Sequence, residues 1–263
     1  MIGVIGGTGL YDFIEEPESL TVETPYGPPS DVITRGIVGS TEVVFLPRHG
    51  REHQWPPHNI PYRANMWALR SLGVTQVLAP CAVGSLQPTL APGSFVAPDQ
   101  LVDRTYGRKQ TYVDSGMAHV SFTHPYCDDL RAAVVTAGMG LDIPITDGGT
   151  MVVIEGPRFG TRAESQSYAA LGWSLVNMTG HPEAVLAREQ ELCYAPIALV
   201  TDMDAGVAGG PVVTQTEAVR IFRENTERMR QLVQSSVAQL PSVRTCSCAT
   251  ALAGMTVSHL PPT

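Results

Sequence analysis

Residues 197–206, IALVTDMDAG, place four apolar residues directly ahead of a Thr and two carboxylates, Asp202 and Asp204. A short aliphatic run of this kind is typical of a buried strand. Residues i and i+2 of an extended chain project from the same face, so both acids are expected to point at one object. Salt-bridge partners, a divalent metal, a capped loop or a ligand edge rich in N–H groups would each satisfy two acids.

Short runs rich in Val, Ile and Leu recur along the chain and predict further buried strands. They are residues 2–5, 43–46, 77–79, 151–154 and 175–176. Helix signals lie between several of these runs. Pro61 opens a segment that Gly73 closes, and Thr161 with Glu164 forms a capping-box pattern ahead of a second segment. The alternation predicts an α/β fold in a single domain, with a largely parallel or mixed β-sheet flanked by helices.

The length and composition suit one large domain. Of the 263 residues, 43% are hydrophobic and 16% are charged, which is enough to build a well-filled core. We predict a domain over residues 1–241 and a C-terminal tail at 242–263. Within the domain, residues 214–240 form the longest candidate helix, and its apolar face is expected to belong to the core.

Charge and hydropathy argue against several partners. The 17 basic and 25 acidic residues give a formal charge of −8, a poor match to a nucleic-acid backbone or an anionic membrane. No apolar run approaches the roughly 20 residues that span a bilayer, and the N-terminal stretch MIGVIGGTGL lacks the basic region of a signal peptide. We therefore expect a cytoplasmic protein that binds neither nucleic acid nor membrane.

The five cysteines are expected to be reduced thiols. Three of them, Cys81, Cys127 and Cys193, are scattered through apolar or mixed surroundings. Cys246 and Cys248 form a C-x-C pair near the C-terminus, which could close a strained disulfide or bind a soft metal. Two ligands alone are too few for a structural zinc site, so plain thiols are the favoured interpretation.

Two predicted strand ends carry groups suited to an anion. Residues 2–9, IGVIGGTG, run from a strand into a glycine turn whose backbone N–H groups and Thr8 hydroxyl can donate hydrogen bonds. The dinucleotide spacing G-x-G-x-x-G fails because Asp12 occupies the last glycine position. Arg48 and His49 follow the strand at 43–46, where α/β ligand crevices open. A simple tight turn and a surface Arg-His pair are the plainer interpretations.

A zinc site is the rival interpretation of the second stretch. Residues 49–53 spell H-x-x-E-H, a pattern of zinc metallopeptidases that requires both histidines on one helix face. Pro47 and Gly50 flank His49, and a Pro-Pro pair follows His53, so a helix of sufficient length is not expected. We predict no metal at this site.

Further candidate residues follow the predicted strands at 151–154 and 175–176. They are Phe159, Asn177, Met178 and Thr179. Each has a plainer role, since Phe159 would also suit the core and Thr179 would also suit a helix cap. Taken with the two acids and the anion donors, they predict one site at the ends of five strands.

The chain resembles a known family, the trimeric purine nucleoside phosphorylases, and in particular the branch of that family that acts on S-methyl-5'-thioadenosine. The resemblance covers nearly the whole chain, from Gly3 to about Leu240. The motifs that carry it are VIGGTGLYDF (4–13), ETPYGPPS (23–30), FLPRHG (45–50), YRANMWALRSLG (62–73), QLVDRT (100–105), GTMVVIEGPRFGTRAES (149–165), NMTGHPEAVLARE (177–189) and LVTDMDAG (199–206).

The resemblance implies a phosphorolysis, in which phosphate attacks C1' of a nucleoside and releases the purine. No cofactor is implied, because inorganic phosphate is a co-substrate. The residues implied to hold phosphate are Thr8, Arg48, His49 and Thr179, with the backbone near Cys81 and Ala82. Relatives commonly have threonine in place of Cys81, and a thiol is a weaker donor than a hydroxyl.

The same resemblance implies the nucleoside contacts. Phe159 would stack on the purine, and Met178 would lie under the ribose with Asn177 nearby. His119 resembles a residue that a neighbouring subunit lends to the 5' end of the nucleoside. The expected assembly is a homotrimer or a dimer of trimers.

With this substrate, the two acids of the opening stretch have a chemical role. Protonated Asp202 would donate to N7 of adenine, and ionised Asp204 would accept from N6. A 6-oxopurine would oppose lone pairs on O6 and Asp204, which predicts about 5- to 150-fold discrimination. The alternatives are a 6-oxopurine or other 5'-modified nucleoside phosphorylase, a nucleosidase that uses water, and a catalytically silent purine-binding protein.

Overall fold

The computed structural model describes residues 1–7, 9–11, 13–14, 16–205, 207 and 213–261. Within these residues the chain forms eleven strands and six α-helices. The strands are β1 (Ile2–Gly6), β2 (Glu18–Leu20), β3 (Ile33–Val38), β4 (Thr41–Pro47), β5 (Gln76–Ser85), β6 (Phe95–Ala97), β7 (Gln100–Arg104), β8 (Ile145–Asp147), β9 (Thr150–Ile154), β10 (Leu175–Asn177) and β11 (Cys193–Met203). The helices are α1 (Tyr62–Ser71), α2 (Asp128–Gly140), α3 (Arg162–Ala170), α4 (Gly180–Glu189), α5 (Gln215–Glu224) and α6 (Thr226–Gln239).

The strands form one mixed sheet organised around the long strand β5. One edge of β5 pairs in parallel with β11 along its whole length. The other edge pairs with β1 in parallel at Gln76–Leu78 and with β10 in antiparallel fashion at Gly84 and Ser85. β4 extends the sheet beyond β1, and β9 and β7 extend it beyond β10. The predicted α/β fold with a mixed, helix-flanked sheet is therefore confirmed.

The sheet forks where β1 and β10 leave β5. Between Leu78, the last residue paired with β1, and Gly84, the first paired with β10, one edge of β5 has no strand neighbour. Backbone polar groups in such a gap need other partners. Arg48 Nη1 donates to the Pro80 carbonyl at 3.0 Å, and Asn177 Nδ2 donates to the Ala82 carbonyl at 3.1 Å. The fork therefore leaves an opening in the sheet between β1 and β10.

All five residues of β1 and the first nine of β11 are buried, which explains their continuous apolar sequences. The predicted helix ends are also confirmed. α1 ends ahead of Gly73, whose φ of +83° suits glycine. At α3, the Thr161 side chain accepts from the Glu164 N–H while Glu164 accepts from the Thr161 N–H, so the capping box is complete.

The prediction of one helix over residues 214–240 is wrong, because two helices meet at Asn225. The Asn225 side chain donates to the Ile221 carbonyl and accepts from Arg228, and such local bonds compete with the helical pattern. α6 supplies core residues such as Met229 and Leu232, whereas α5 has no buried residue. The apolar face of α5 is instead turned toward a cavity.

The C-terminal residues up to 261 lie against the rest of the chain. Arg244 Nη1 donates to the Glu191 carbonyl at 2.6 Å, and His259 Nε2 lies 2.8 Å from the Glu189 carbonyl. Cys248 is buried. The boundary at residue 241 stays a prediction, although the chain beyond it packs closely. No helix in the described part of the chain is long and apolar enough to cross a bilayer.

Candidate active site

A cavity of about 560 Å³ lies at the fork, bounded by the carboxyl ends of β1, β4, β5, β10 and β11 and covered by α5. Its size is within the range of small-molecule sites. The described residues that line it include Gly7, Gly9, Arg48, His49, Pro80, Cys81, Ala82, Val83, Gly84, Phe159, Asn177, Met178, Thr179, Asp202, Asp204, Val219 and Phe222. The structure therefore brings almost all of the predicted site residues that it describes to one cavity.

The two acids converge above Gly84 of the neighbouring strand. The pairing of β11 with β5 shifts by one residue at Thr201, so that Val200 is opposite Val83 and Asp202 is opposite Gly84. A Cβ placed on Gly84 would lie 3.0 Å from Asp202 Oδ1 and 3.4 Å from Asp204 Oδ1. Both carboxylates thus occupy the space that a side chain would take, and Gly84 makes room for them.

The surroundings of Asp202 favour the protonated form of its carboxyl group. Burial raises the pKa of Asp202 to about 6, the Thr201 hydroxyl bonded at 2.8 Å opposes this rise, and the nearby charge of Asp204 adds to it. A carboxyl with this pKa is partly protonated near neutral pH. It can therefore serve as an acid in the cavity.

Asp204 is more deeply buried and more firmly held. The Ser165 hydroxyl donates to its Oδ2 at 2.6 Å, and the Ala205 N–H also donates to it. Burial raises the pKa of Asp204, while these two donors act in the opposite direction. Sequence reasoning missed Ser165, which lies in α3, far from the acids along the chain. The bond to Oδ2 leaves Oδ1 directed to the same region as Asp202.

Arg48 is bound to a buried acid that sequence reasoning also missed. Its Nε and Nη2 form a two-point ion pair with Glu183 of α4, and Glu183 also accepts from the Tyr194 hydroxyl at 2.8 Å. Burial alone lowers the pKa of the Arg48 guanidinium, but the Glu183 charge outweighs it and holds that pKa above its ordinary value. Among the described residues, the partners of Arg48 occupy four of its five N–H groups.

His49 lines the cavity as a neutral ring. Burial, followed by the charges of Arg48 and His53, lowers the pKa of His49 to about 4 despite a bond to the Trp55 carbonyl. Nδ1 lies 2.8 Å from that carbonyl, which can only accept, so Nδ1 carries the proton. The other nitrogen, Nε2, is then a hydrogen-bond acceptor. A neutral His49 can therefore accept from an O–H group of a ligand.

The remaining predicted phosphate contacts lie along β5 and at the end of β10. Burial raises the pKa of Cys81 to about 12, so its sulfur remains a thiol at neutral pH. The N–H and C=O of one strand residue point to the same side, so the Ala82 N–H points into the fork along with its carbonyl. Thr179 is buried at the cavity wall, without a side-chain cap to α4. Thr8 lies outside the described residues.

The predicted nucleoside contacts differ in how they are held. Phe159 is 37% exposed and lines the cavity, so the alternative of a core residue is wrong. Met178 also lines it. Asn177 is engaged in the protein itself, because its Oδ1 accepts from the N–H groups of Thr179 and Gly180 while its Nδ2 donates to β5. Asn177 therefore shapes the fork.

His119 and the H-x-x-E-H stretch complete the set of candidate residues. His119 is exposed and is not among the described residues that line the cavity of its own chain. The H-x-x-E-H stretch forms turns and loop, and the rings of His49 and His53 stack with centroids 5.5 Å apart. That stretch lacks the helix that a metallopeptidase motif requires.

Comparison with known proteins identifies the family. The family described as the phosphorylase superfamily matches residues 1–238. A protein from Mycolicibacterium smegmatis named S-methyl-5'-thioadenosine phosphorylase is 58% identical, over 94% of this chain and 94% of its own. A Streptomyces coelicolor protein named purine nucleoside phosphorylase is 53% identical, over 97% of this chain and 95% of its own.

A solved structure agrees with the sequence relatives. Methylthioadenosine phosphorylase from Schistosoma mansoni in complex with adenine is 38% identical, with a TM-score of 0.86 over 90% of each chain. The chain belongs to the phosphorylase superfamily. It is a pentosyltransferase of the purine nucleoside phosphorylase type.

Proposed function

We propose that this chain cleaves S-methyl-5'-thioadenosine with inorganic phosphate, releasing adenine and 5-methylthioribose 1-phosphate. The relatives support this substrate, because the Mycolicibacterium protein is named for it and the Schistosoma enzyme binds adenine. The observation that carries the proposal is the pair Asp202 and Asp204 above Gly84. Adenine presents an acceptor at N7 beside a donor at N6, and one protonated and one ionised carboxyl match that edge.

In this proposal Asp202 is the general acid. Cleavage of the glycosidic bond leaves negative charge on the purine, and a proton delivered to N7 neutralises that charge. The pKa of Asp202, raised to about 6 chiefly by burial, keeps a usable fraction of the carboxyl protonated near neutral pH. The phosphate anion stabilises the positive charge that develops on the sugar and then bonds to C1'.

Asp204 selects the 6-amino purine. The Ser165 hydroxyl and the Ala205 N–H both donate to Asp204, so its carboxylate is arranged as an acceptor. Oδ1 then accepts from the N6 amino group. A 6-oxopurine would instead bring O6 against this oxygen and leave both lone pairs without a donor.

The proposed phosphate contacts are a charged guanidinium, hydrogen-bond donors and one hydrogen-bond acceptor. The N–H group of Arg48 with no partner among the described residues and the Ala82 N–H are donors at the fork. Neutral His49 accepts from the P–O–H group of dibasic phosphate through Nε2. Glu183 holds the Arg48 guanidinium in place, so the charge of this site is largely balanced before phosphate arrives.

The cover formed by α5 supports a methylthio substituent. Ala218, Val219 and Phe222 present apolar surface to the cavity, and an apolar wall favours a methylthio group over a hydroxyl. A 6-oxopurine or another 5'-modified nucleoside is the second candidate, because the Streptomyces relative is named only for purine nucleosides.

We also propose a cytoplasmic homotrimer, or a dimer of trimers, in which His119 reaches the cavity of a neighbouring chain. The exposed position of His119 outside its own cavity supports this arrangement. Light scattering coupled to gel filtration measures the assembly. His119→Ala is expected to raise the KM for the nucleoside and to leave the KM for phosphate unchanged. No organic cofactor is needed in this mechanism.

The test of the proposed function is purine release from S-methyl-5'-thioadenosine and from 5'-methylthioinosine, each with and without phosphate. We expect phosphate-dependent release of adenine and little hypoxanthine. Equal release of hypoxanthine would overturn the role of Asp204 and favour the second candidate. Release without phosphate would identify a nucleosidase. Tight adenine binding with no turnover in either buffer would identify a silent binding protein.

A further inference from the structure

Four of the five cysteines meet at the end of β11 that is remote from the cavity. The sulfur atoms of Cys127, Cys193, Cys246 and Cys248 all lie within 4.8 Å of one another. Cys127 immediately precedes α2, Cys193 is the first residue of β11, and the other two belong to the C-terminal tail. Three segments that are distant in sequence thus each contribute sulfur to one cluster, which we call the cysteine cluster.

The cluster is mostly buried, and its sulfurs are not joined by disulfide bonds. Cys127, Cys193 and Cys248 are buried, Cys246 is partly exposed, and all four are free cysteines. The sulfurs of Cys193 and Cys246 are 3.3 Å apart, well beyond the roughly 2.05 Å of a disulfide bond. Thiols are weak donors and weak acceptors for each other, so a partner shared by all four would satisfy them better.

The spacing of the sulfurs suits a tetrahedral metal. Zinc binds thiolate at about 2.3 Å, so neighbouring sulfurs of a four-thiolate zinc site are about 3.8 Å apart. The cluster spans this value, with one pair at 3.3 Å and all pairs within 4.8 Å. The N-terminus of α2 also favours negative charge on Cys127, because its free N–H groups point toward that residue.

We propose that the cysteine cluster is a structural zinc site with Cys127, Cys193, Cys246 and Cys248 as its four ligands. On binding, each thiol loses its proton to solvent and no electron is transferred. Four protein ligands fill the tetrahedron and leave no position for substrate or water. Asp202 follows Cys193 by nine positions along β11, about 30 Å of extended chain, so the metal takes no part in the phosphorylase reaction.

The role of the site is to fasten the C-terminal tail to the domain. Near the cluster, the tail is held by Arg244 on the Glu191 carbonyl and by the Leu252 N–H on the Glu191 carboxylate at 3.3 Å. Two of the four ligands come from the tail and two from the domain. Metal binding therefore adds stability to the docked tail that these hydrogen bonds alone do not supply.

The test is the metal content of the whole protein, purified without chelator, kept reduced, and dialysed against zinc before removal of the unbound ion. We expect about one zinc per chain by elemental analysis, and cobalt in its place should produce the thiolate-to-metal and visible bands of a tetrahedral site. Cys248→Ser should lower the bound zinc at least tenfold and lower the Tm. Cys81→Ser, which removes the cysteine outside the cluster, should retain the zinc.

Three results would overturn the proposal. The first is reduced, folded protein that binds no zinc. The second is iron in place of zinc. The third is a pair of disulfides that persist in the presence of a reductant, seen as a mass four hydrogens below that of the reduced chain. If Cys248→Ser fails to fold, Cys246→Ser and chelator titration of the unaltered protein provide the same measurement.

Discussion

The two ends of β11 have opposite chemistry. Its carboxyl end presents Asp202 and Asp204 to a cavity, where burial raises the pKa of both carboxyl groups. Its amino end carries Cys193, enclosed among three other cysteines. Burial of the acids costs stability at neutral pH, and that same burial provides the proton that the reaction needs. The proposed role of the cysteine end is stability alone.

The largest expected effect is the loss of activity when Asp202, at the carboxyl end of β11, is replaced. Asp202→Ala removes the proton donor to N7, so kcat/KM for adenine nucleosides should fall about 10²- to 10⁴-fold. Phosphate-dependent adenine release measures this loss. Asp142→Asn, at an exposed residue outside the cavity lining, is the matched control and should keep the rate of the unaltered enzyme. A rate for Asp202→Ala within a few-fold of the unaltered enzyme would contradict the assignment of the acid.

The second effect concerns the choice of purine. Asp204→Asn replaces an acceptor with an amide that can also donate to O6, so the preference for adenine over hypoxanthine should fall about 5- to 150-fold. The ratio of kcat/KM for the methylthio derivatives of adenosine and inosine measures it. Ser165→Ala is the control, because it removes the donor to Oδ2 and leaves the carboxylate. An unchanged ratio in Asp204→Asn would move specificity to another residue.

The third effect is on stability and depends on pH. The pKa of Asp202 is raised to about 6 from an ordinary 3.8, chiefly by burial, so the folded state binds this proton more tightly than the unfolded state. The resulting stability is fully present below about pH 4 and is lost as the pH rises through about 6. The amide of Asp202→Asn does not ionise, so the variant does not lose stability in this way.

We therefore expect Asp202→Asn to be more stable than the unaltered protein at pH 8 by roughly 1 to 3 kcal/mol, with the difference vanishing near pH 4. Denaturant unfolding at both pH values measures the change in the free energy of unfolding. Asp142→Asn controls for the loss of one exposed charge. A difference that is equal at the two pH values would show that the buried charge is not its cause.

The smallest effect compares the fifth cysteine with those of the cluster. Cys81→Ser places a stronger donor at the cavity, so the KM for phosphate should fall about two- to tenfold, as expected for one hydrogen bond. Cys248→Ser, at the other end of β11, should leave that KM unchanged at a temperature where the variant is folded. The distinction between the cavity cysteine and the cysteine cluster would be contradicted if the phosphate KM fell in Cys248→Ser or did not fall in Cys81→Ser.

Much of the fold could be predicted from sequence because its signals are local. Six strands, the glycine that closes α1 and the capping box of α3 each depend on residues close together in the chain. The helix over 214–240 was the exception. Its spacing of apolar residues was real, but α5 directs that face to the cavity and Asn225 separates it from α6. Periodicity alone does not distinguish a core from a cavity.

The candidate site was predictable only in part. Residues at strand ends such as Arg48 and Asp204 were found because parallel strands end at one edge of a sheet. Ser165 and Glu183, which hold those two side chains, were missed because each lies in a helix with no local signal of its partner. The apolar face of α5 that lines the cavity was also missed, because periodicity alone does not show whether such a face packs in the core or lines a cavity.

The sequence by itself determined that β11 is a buried strand and that its carboxyl end carries two acids, because those features lie within ten consecutive residues. It also determined that a C-x-C pair exists. Only the tertiary structure decided that Gly84 receives both acids and that Cys127 and Cys193 complete a set of four sulfurs. The physical reason is that strand pairing and tail docking bring together residues that are far apart in the chain, and no local pattern records such contacts.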